Sequence, residues 1–200
     1  MKVTSIKQQV RRQGRYSIFI DGKYSFSLSE GALLQSKMAN GQQLTQEQIR
    51  ELQQISIDDK IYSNALAYAI LRPRSYWEME QYLQRKKCSP SLSKDILNKL
   101  SSSGFLSDES FARAWVSSRR LRGPVSRRRL LQELRAKRVS DDAAQQALSE
   151  DETDESTVLR ELIDRKRKQT RYQDDQKLMQ YLAGQGFNYG DIKAALSDEA

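Results

Sequence analysis

Histidine is absent from these 200 residues, and cysteine occurs once, at Cys88. The first absence excludes histidine acid–base chemistry, and the two together remove the usual ligands of a zinc site. A single thiol cannot close a disulfide within the chain, which suits a reducing compartment. Hydrophobic residues make up only 38% of the sequence. That is little for one deep core, so thin layers of packed helices are expected. No apolar run approaches the roughly 18 residues of a membrane span, and no apolar signal segment opens the chain. The glycine motifs of phosphate-cradling loops and nucleophile elbows are missing as well. These absences point to a cytoplasmic protein without catalytic, cofactor or metal sites, and without a membrane partner.

What is present is charge, at 30% of residues and a formal net value of +8. The excess is local. Residues 1–50 carry 8 basic and 3 acidic groups, residues 51–110 carry 8 of each, residues 111–150 carry 10 and 4, and residues 151–200 carry 8 and 11. A basic excess of this kind suggests an acidic partner, either nucleic acid or an assembly that carries it.

The stretch RYSIFIDGKYSFSL alternates like a β-hairpin around Asp21-Gly22. A three-residue loop would pair Ile18 with Tyr24 and Tyr16 with Phe26, gathering the apolar groups on one face. VTSIKQQV is positioned to add a third strand. Asn40-Gly41 should stop a short helix. Thr45 then caps another, with Gln48 completing a capping box and Leu44 stapled onto Ile49. Beyond about residue 58 helix signals recur without strand signals: cap serines at Ser75, Ser107, Ser126 and Ser140.

These signals repeat. MEQYLQRKK from Met79, LLQELRAKR from Leu130 and LMQYLAGQG from Leu178 align at offsets of 51 and 48 residues, superposing Leu83, Leu134 and Leu182. Pro73 aligns with Pro124, Ser75 with Ser126, and AQQAL (ending at Leu148) with IKAAL (ending at Leu196). The expected fold is therefore mainly α: an elongated array of three tandem three-helix repeats, preceded by a small β-hairpin or three-stranded segment and short helices. The expected divisions are 1–57, 58–105, 106–149 and 150–200. The last opens with EDETDEST, which reads either as a flexible linker or as the acidic approach to a helix starting near Val158.

The sharpest functional signal is RRLRGPVSRRR, residues 119–129, with six arginines and no acid. If Ser126 is an N-cap, then Arg127, Arg128 and Arg129 occupy a first turn, where the helix dipole disfavours cations. Ser140 is followed instead by Asp141 and Asp142. Stability therefore does not explain the arginines, and recognition of phosphate or carboxylate does. The candidate contact residues are Arg119, Arg120, Arg122, Arg127, Arg128 and Arg129. Arg165, Lys166, Arg167 and Lys168 join them from the matching helix end of the third repeat. On this view, changing Arg127, Arg128 and Arg129 together to alanine keeps or slightly improves folding. The competing account is a solvated basic face with no specific partner.

GFLSDESFARAWVSSRRLRGPVSRRRLLQELRAKRVSDDAAQQAL (Gly104 to Leu148) resembles the signature of the RecX family of bacterial recombination regulators. LRPRSYWEMEQYLQRK (Leu71 to Lys86) resembles that family's first unit, and IFIDGKYSFSL the N-terminal extension of some members. The resemblance implies a cytoplasmic protein of tandem three-helix repeats; a monomer is the default oligomeric state. Such a protein binds the RecA recombinase filament and reduces its ATP hydrolysis, strand exchange and co-protease activity. Single- or double-stranded DNA is a second candidate partner, and a freestanding DNA-binding protein is the alternative function. One departure stands out. The family commonly has lysine-glycine where this chain has Lys137-Arg138 and Lys87-Cys88, while Gly186 is kept. A non-glycine residue there calls for a different helix ending.

Overall fold

The computed structural model describes residues 1–198. They divide into two compact units, Met1–Arg72 with Glu80–Phe105, and Pro73–Met79 with the chain from Leu106 onward. The first holds the sheet, with strands β1 (Val3–Gln9), β2 (Arg12–Ile20) and β3 (Lys23–Ser29) in the antiparallel order β1-β2-β3. Helices α1 (Glu30–Ser36), α2 (Gln46–Ile70) and α4 (Pro90–Ser102) belong with it. Helix α3 (Tyr76–Arg85) contributes its first turn to the second unit and the remainder to the first.

The hairpin register differs from the expected one. Ile20 pairs with Lys23 and Phe19 with Tyr24 across the two-residue turn Asp21-Gly22, and a register shift then pairs Ile18 with Phe26 and Tyr16 with Leu28. Asp21 and Gly22 both have left-handed backbones, at φ 47° and 79°. That is the turn whose twist suits a hairpin. The bulge falls at Ser25 and restores the facing, so Ile18, Ile20, Phe26 and Leu28 still share one buried face with Val3, Leu44 and Ile49.

The capping box at Thr45 forms in both directions, with Gln48 N donating to Thr45 Oγ1 at 3.2 Å and Thr45 N to Gln48 Oε1 at 2.9 Å. The helix it starts runs unbroken through residues 57 and 58, ending at Ile70. A buried ion pair fixes it to the sheet. Arg15 meets Asp59 at 3.0 Å and also donates to Ser27, while Asp59 accepts from the Ser29 amide and hydroxyl. Both carboxylate oxygens of Asp59 thus accept hydrogen bonds, as a charge removed from water requires.

The second unit contains α5 (Asp108–Arg122), α6 (Arg127–Ala136), α7 (Asp141–Ser149), α8 (Glu155–Arg167), α9 (Asp175–Gly184) and α10 (Tyr189–Ser197). Two apolar clusters organise it. One gathers Phe111, Val116, Leu130, Leu134, Ala144 and Leu148; the other gathers Val158, Leu159, Ile163, Leu178, Leu182 and Ile192. The repeat-aligned pairs Met79/Leu83, Leu130/Leu134 and Leu178/Leu182 are all fully buried. The mainly helical repeat architecture behind a small N-terminal sheet is therefore the one expected.

The helix ending is a correction. Lys87, Arg138 and Gly186 have φ of 56°, 54° and 94°, so all three helices end on a left-handed residue. The next amide returns to the same aligned leucine each time: Cys88 N to Leu83 O at 3.1 Å, Val139 N to Leu134 O at 3.2 Å, Phe187 N to Leu182 O at 3.3 Å. Two side chains tolerate strain where glycine is usual. Arg138→Gly is expected to raise stability by about 0.5–1 kcal/mol. Gly186→Ala should do the reverse, because its Cβ would stand 2.8 Å from Ser126 Oγ. Urea melts of the two variants check both signs.

Candidate basic interface

Helix α5 ends at Gly123, and Pro124 and Val125 lead to Ser126, the N-cap of α6. Ser126 Oγ accepts from Arg129 N at 3.1 Å and donates to Gln185 O at 2.6 Å. The first turn of α6 has its anion after all, supplied by another helix. Arg127 N donates to both oxygens of Glu155, the first residue of α8, at 3.0 and 3.1 Å. Asp108, the first residue of α5, does the same for α3, accepting from Tyr76 N at 3.0 Å. Each repeat thus completes the helix start of the repeat before it. Burial pushes the pKa of both carboxyls up, more than the amide hydrogen bonds bring it down.

Arg127 is not the free cation expected. Its side chain reaches Leu148 O at 2.5 Å and Asp151 O at 3.5 Å, so it serves the carbonyl end of α7, where a cation suits the dipole. Four further candidates are also engaged within the fold. Arg119 holds Glu133 at 2.8 and 3.1 Å, and Glu133 also accepts from the Trp115 indole at 3.0 Å. Burial raises the Glu133 pKa, but the bonds from Arg119 and Trp115 and the charges of Arg119 and Arg129 outweigh it and hold it below the ordinary range. Arg120 holds Asp151 at 2.6 Å and donates to Val125 O. In the second run, Lys166 lies 5.3 and 4.5 Å from the Tyr172 and Tyr181 ring centres. Arg167 binds Tyr172 O, Gln173 O and Asp175.

Five of the ten candidates remain at the surface: Arg122, Arg128, Arg129, Arg165 and Lys168 are exposed. Arg122 turns back to Ser118, and Arg129 stands 3.6 Å from Glu133 with its side chain 46% exposed. The two basic runs meet at Gly123, where an added Cβ would lie 3.0 Å from the Arg165 guanidinium. Arg128 packs its Cβ stem against Gly186 of the third repeat. The arrangement leaves exposed cations on helices whose other candidate side chains are engaged within the fold.

Several acceptors have no signal in the local sequence. Asp151 and Glu155 fall in the acidic stretch, which is tied down rather than free. Asp151 binds Arg120 and Thr153, and Asp154 caps α8 through Thr157 N at 2.8 Å. Lys137 sits between two tryptophans, 5.8 Å from the Trp77 ring centre and 5.4 Å from that of Trp115, and pairs with Glu78 at 2.9 Å. Glu133 was within reach of pattern reading, four residues after Arg129.

Residues 107–148 match the family profile described as RecX, second three-helix domain; residues 153–196 match the third three-helix domain, and residues 1–45 the regulatory protein RecX N-terminal domain. The chain is 31% identical over 199 residues to Regulatory protein RecX of Bacillus subtilis (strain 168), covering 97% of this chain and 75% of that one. It belongs to the RecX family. The RecX of Listeria monocytogenes serovar 1/2a (strain ATCC BAA-679 / EGD-e) is 30% identical over 206 residues, covering 99% of this chain and 76% of its own. A solved structure described as regulatory protein RecX superposes with a TM-score of 0.76 at 25% identity, covering 98% of both chains. A second, RecX from Lactobacillus salivarius, shares the fold with a TM-score of 0.61 over 71% of this chain and 96% of its own. The family is one of regulatory proteins. No helix among the described residues is long and apolar enough to cross a membrane.

Proposed function

We propose that the protein is a cytoplasmic, monomeric negative regulator of RecA that binds the RecA nucleoprotein filament and restrains its ATP hydrolysis, strand exchange and co-protease activity. Membership of the RecX family supports RecA as the partner. The observation that carries the contact surface is the exposed set Arg122, Arg128, Arg129 and Arg165, held on helices where Arg119, Arg120 and Arg127 are engaged within the fold. A forked guanidinium presented from a fixed helix end suits carboxylates of filament subunits and phosphates of the DNA they enclose. A repeat protein presents such groups to several neighbouring subunits at once. Tying together subunits that must move relative to one another during ATP turnover slows that turnover.

RecA ATP hydrolysis on single-stranded DNA, titrated with this protein at near-physiological salt, tests the proposal. Inhibition well below one copy per RecA is expected. Inhibition that sets in only once the DNA is coated would sink the filament account and favour a freestanding DNA-binding protein, whose affinity falls steeply with salt.

A further inference from the structure

The sheet of the first unit has a second face. Its inner face carries Val3, Ile18, Ile20, Phe26 and Leu28 into the core. On the outer face, Ser5, Phe19 and Tyr24 lie side by side across the three strands, with Lys7 and Ser17 in the next row. Helix α2 closes the far end of this face, where Ser56 and Asp59 meet Ser27 and Arg15. The end nearest the β2–β3 turn stands open, with Tyr24 58% exposed. The Tyr24 and Phe19 rings meet edge to face at 6.0 Å and 78°, and Lys7 Nζ lies 5.6 Å from the Phe19 ring centre.

The exposed charge of the strands and their turns is mostly basic. Lys7 lies in the row beside the rings, Lys23 follows the β2–β3 turn opposite Ile20, and Arg11 and Arg12 stand at the β1–β2 turn; all four are exposed. Arg15 is the strand cation neutralised by a carboxylate, that of Asp59. Asp21 is the sole acid of residues 1–29, and it is turned to the Lys2 amide at 2.8 Å. A single exposed aromatic residue needs no explanation. A ring pair with a lysine in the next row, on strands whose exposed charges are basic apart from Asp21, is a different pattern. Flat rings stack any base, and the cations follow the phosphates, with little dependence on sequence.

We propose that this outer sheet face binds single-stranded DNA, with Tyr24 and Phe19 stacking bases, Lys7 holding the neighbouring phosphate, and Arg11 and Arg12 at the β1–β2 turn meeting the strand farther along. Duplex DNA fits poorly, because its bases are not free to stack on the rings. The site lies in a different unit from the arginines of α5, α6 and α8 and works by different chemistry.

The test is fluorescence anisotropy of a labelled dT15 oligonucleotide with the full chain and without RecA, so its outcome is independent of the filament proposal. Tyr24→Ala should weaken dT15 binding roughly fivefold to a hundredfold. It should leave the salt slope and the melting temperature unchanged, and Tyr24→Trp should restore affinity. Lys7→Ala should instead lower the salt slope by about 0.7, the share of one phosphate on a single strand. Unchanged dT15 affinity in Tyr24→Ala overturns the proposal, as does an equal loss of affinity for a duplex of the same length. Tighter binding of rU15 that depends on Tyr24 in the same way overturns the choice of DNA.

Discussion

Replacing Arg122, Arg128, Arg129 and Arg165 together by alanine is expected to leave the fold intact and to remove most of the inhibition of RecA. Each exposed charged contact contributes roughly 0.2–1 kcal/mol. Four together amount to about 1–4 kcal/mol, or roughly fivefold to several-hundredfold in affinity. Stability should stay within about 1 kcal/mol of the parent, because cations in the first turn of α6 oppose the helix dipole and alanine relieves that. The inhibition midpoint in the RecA ATPase titration and a urea melt are the two measurements. A midpoint that does not move would remove these arginines from the interface.

The contrast with Arg127 makes this variant informative. A triple change of Arg127, Arg128 and Arg129, which the sequence suggests as the natural test, confounds two effects. Arg127 supports the carbonyls at the end of α7, so its loss costs stability as well as charge. Substituting only the four exposed arginines separates contact from scaffold. Salt separates the acceptors: if they are DNA phosphates, the slope of affinity against salt should fall by about one for each arginine removed.

Much of this architecture is legible in the sequence because its signals are local. Ser107, Ser126 and Ser140 each accept from the amide three residues on, as the cap spacing predicts. Leu83, Leu134 and Leu182 repeat because one position per repeat must fill the same buried space. What escaped is what depends on partners distant in sequence. Arg120 and Asp151 are 31 residues apart, and Arg127 N and Glu155 are 28 apart. A dipole argument confined to one helix finds three misplaced cations at Ser126. The folded chain places the compensating carboxylate on α8. The hairpin bulge escaped for another reason: the bulged two-residue turn and the three-residue loop bury nearly the same apolar set, so hydrophobic pattern does not separate them. The left-handed Lys87 and Arg138 show the limit of reasoning from residue type, since the tertiary fold holds a conformation that the side chain disfavours.

The second large effect is expected at Arg120. Its side chain and that of Asp151 are 13% and 7% exposed. Arg120→Met leaves a buried carboxylate and the Val125 carbonyl without their donor, at a cost of about 3–5 kcal/mol. Arg120→Met with Asp151→Leu should recover most of that loss, because a buried ion pair adds little over apolar groups of similar volume. Acidity gives an independent check. Burial raises the Asp151 pKa, but the hydrogen bonds from Arg120 and Thr153 outweigh it and hold it below the ordinary carboxylate range. The pair's contribution is therefore present above the unfolded carboxylate pKa and lost as pH falls through the lower folded value. Without Arg120 the sign reverses: burial dominates, the folded pKa rises, and protonation favours the fold. Urea midpoints measured from pH 7 down to pH 3 should fall for the parent and hold or rise for Arg120→Met. Parallel curves would mean that Asp151 finds other donors and that the link between α5 and the α7–α8 connection does not depend on this pair.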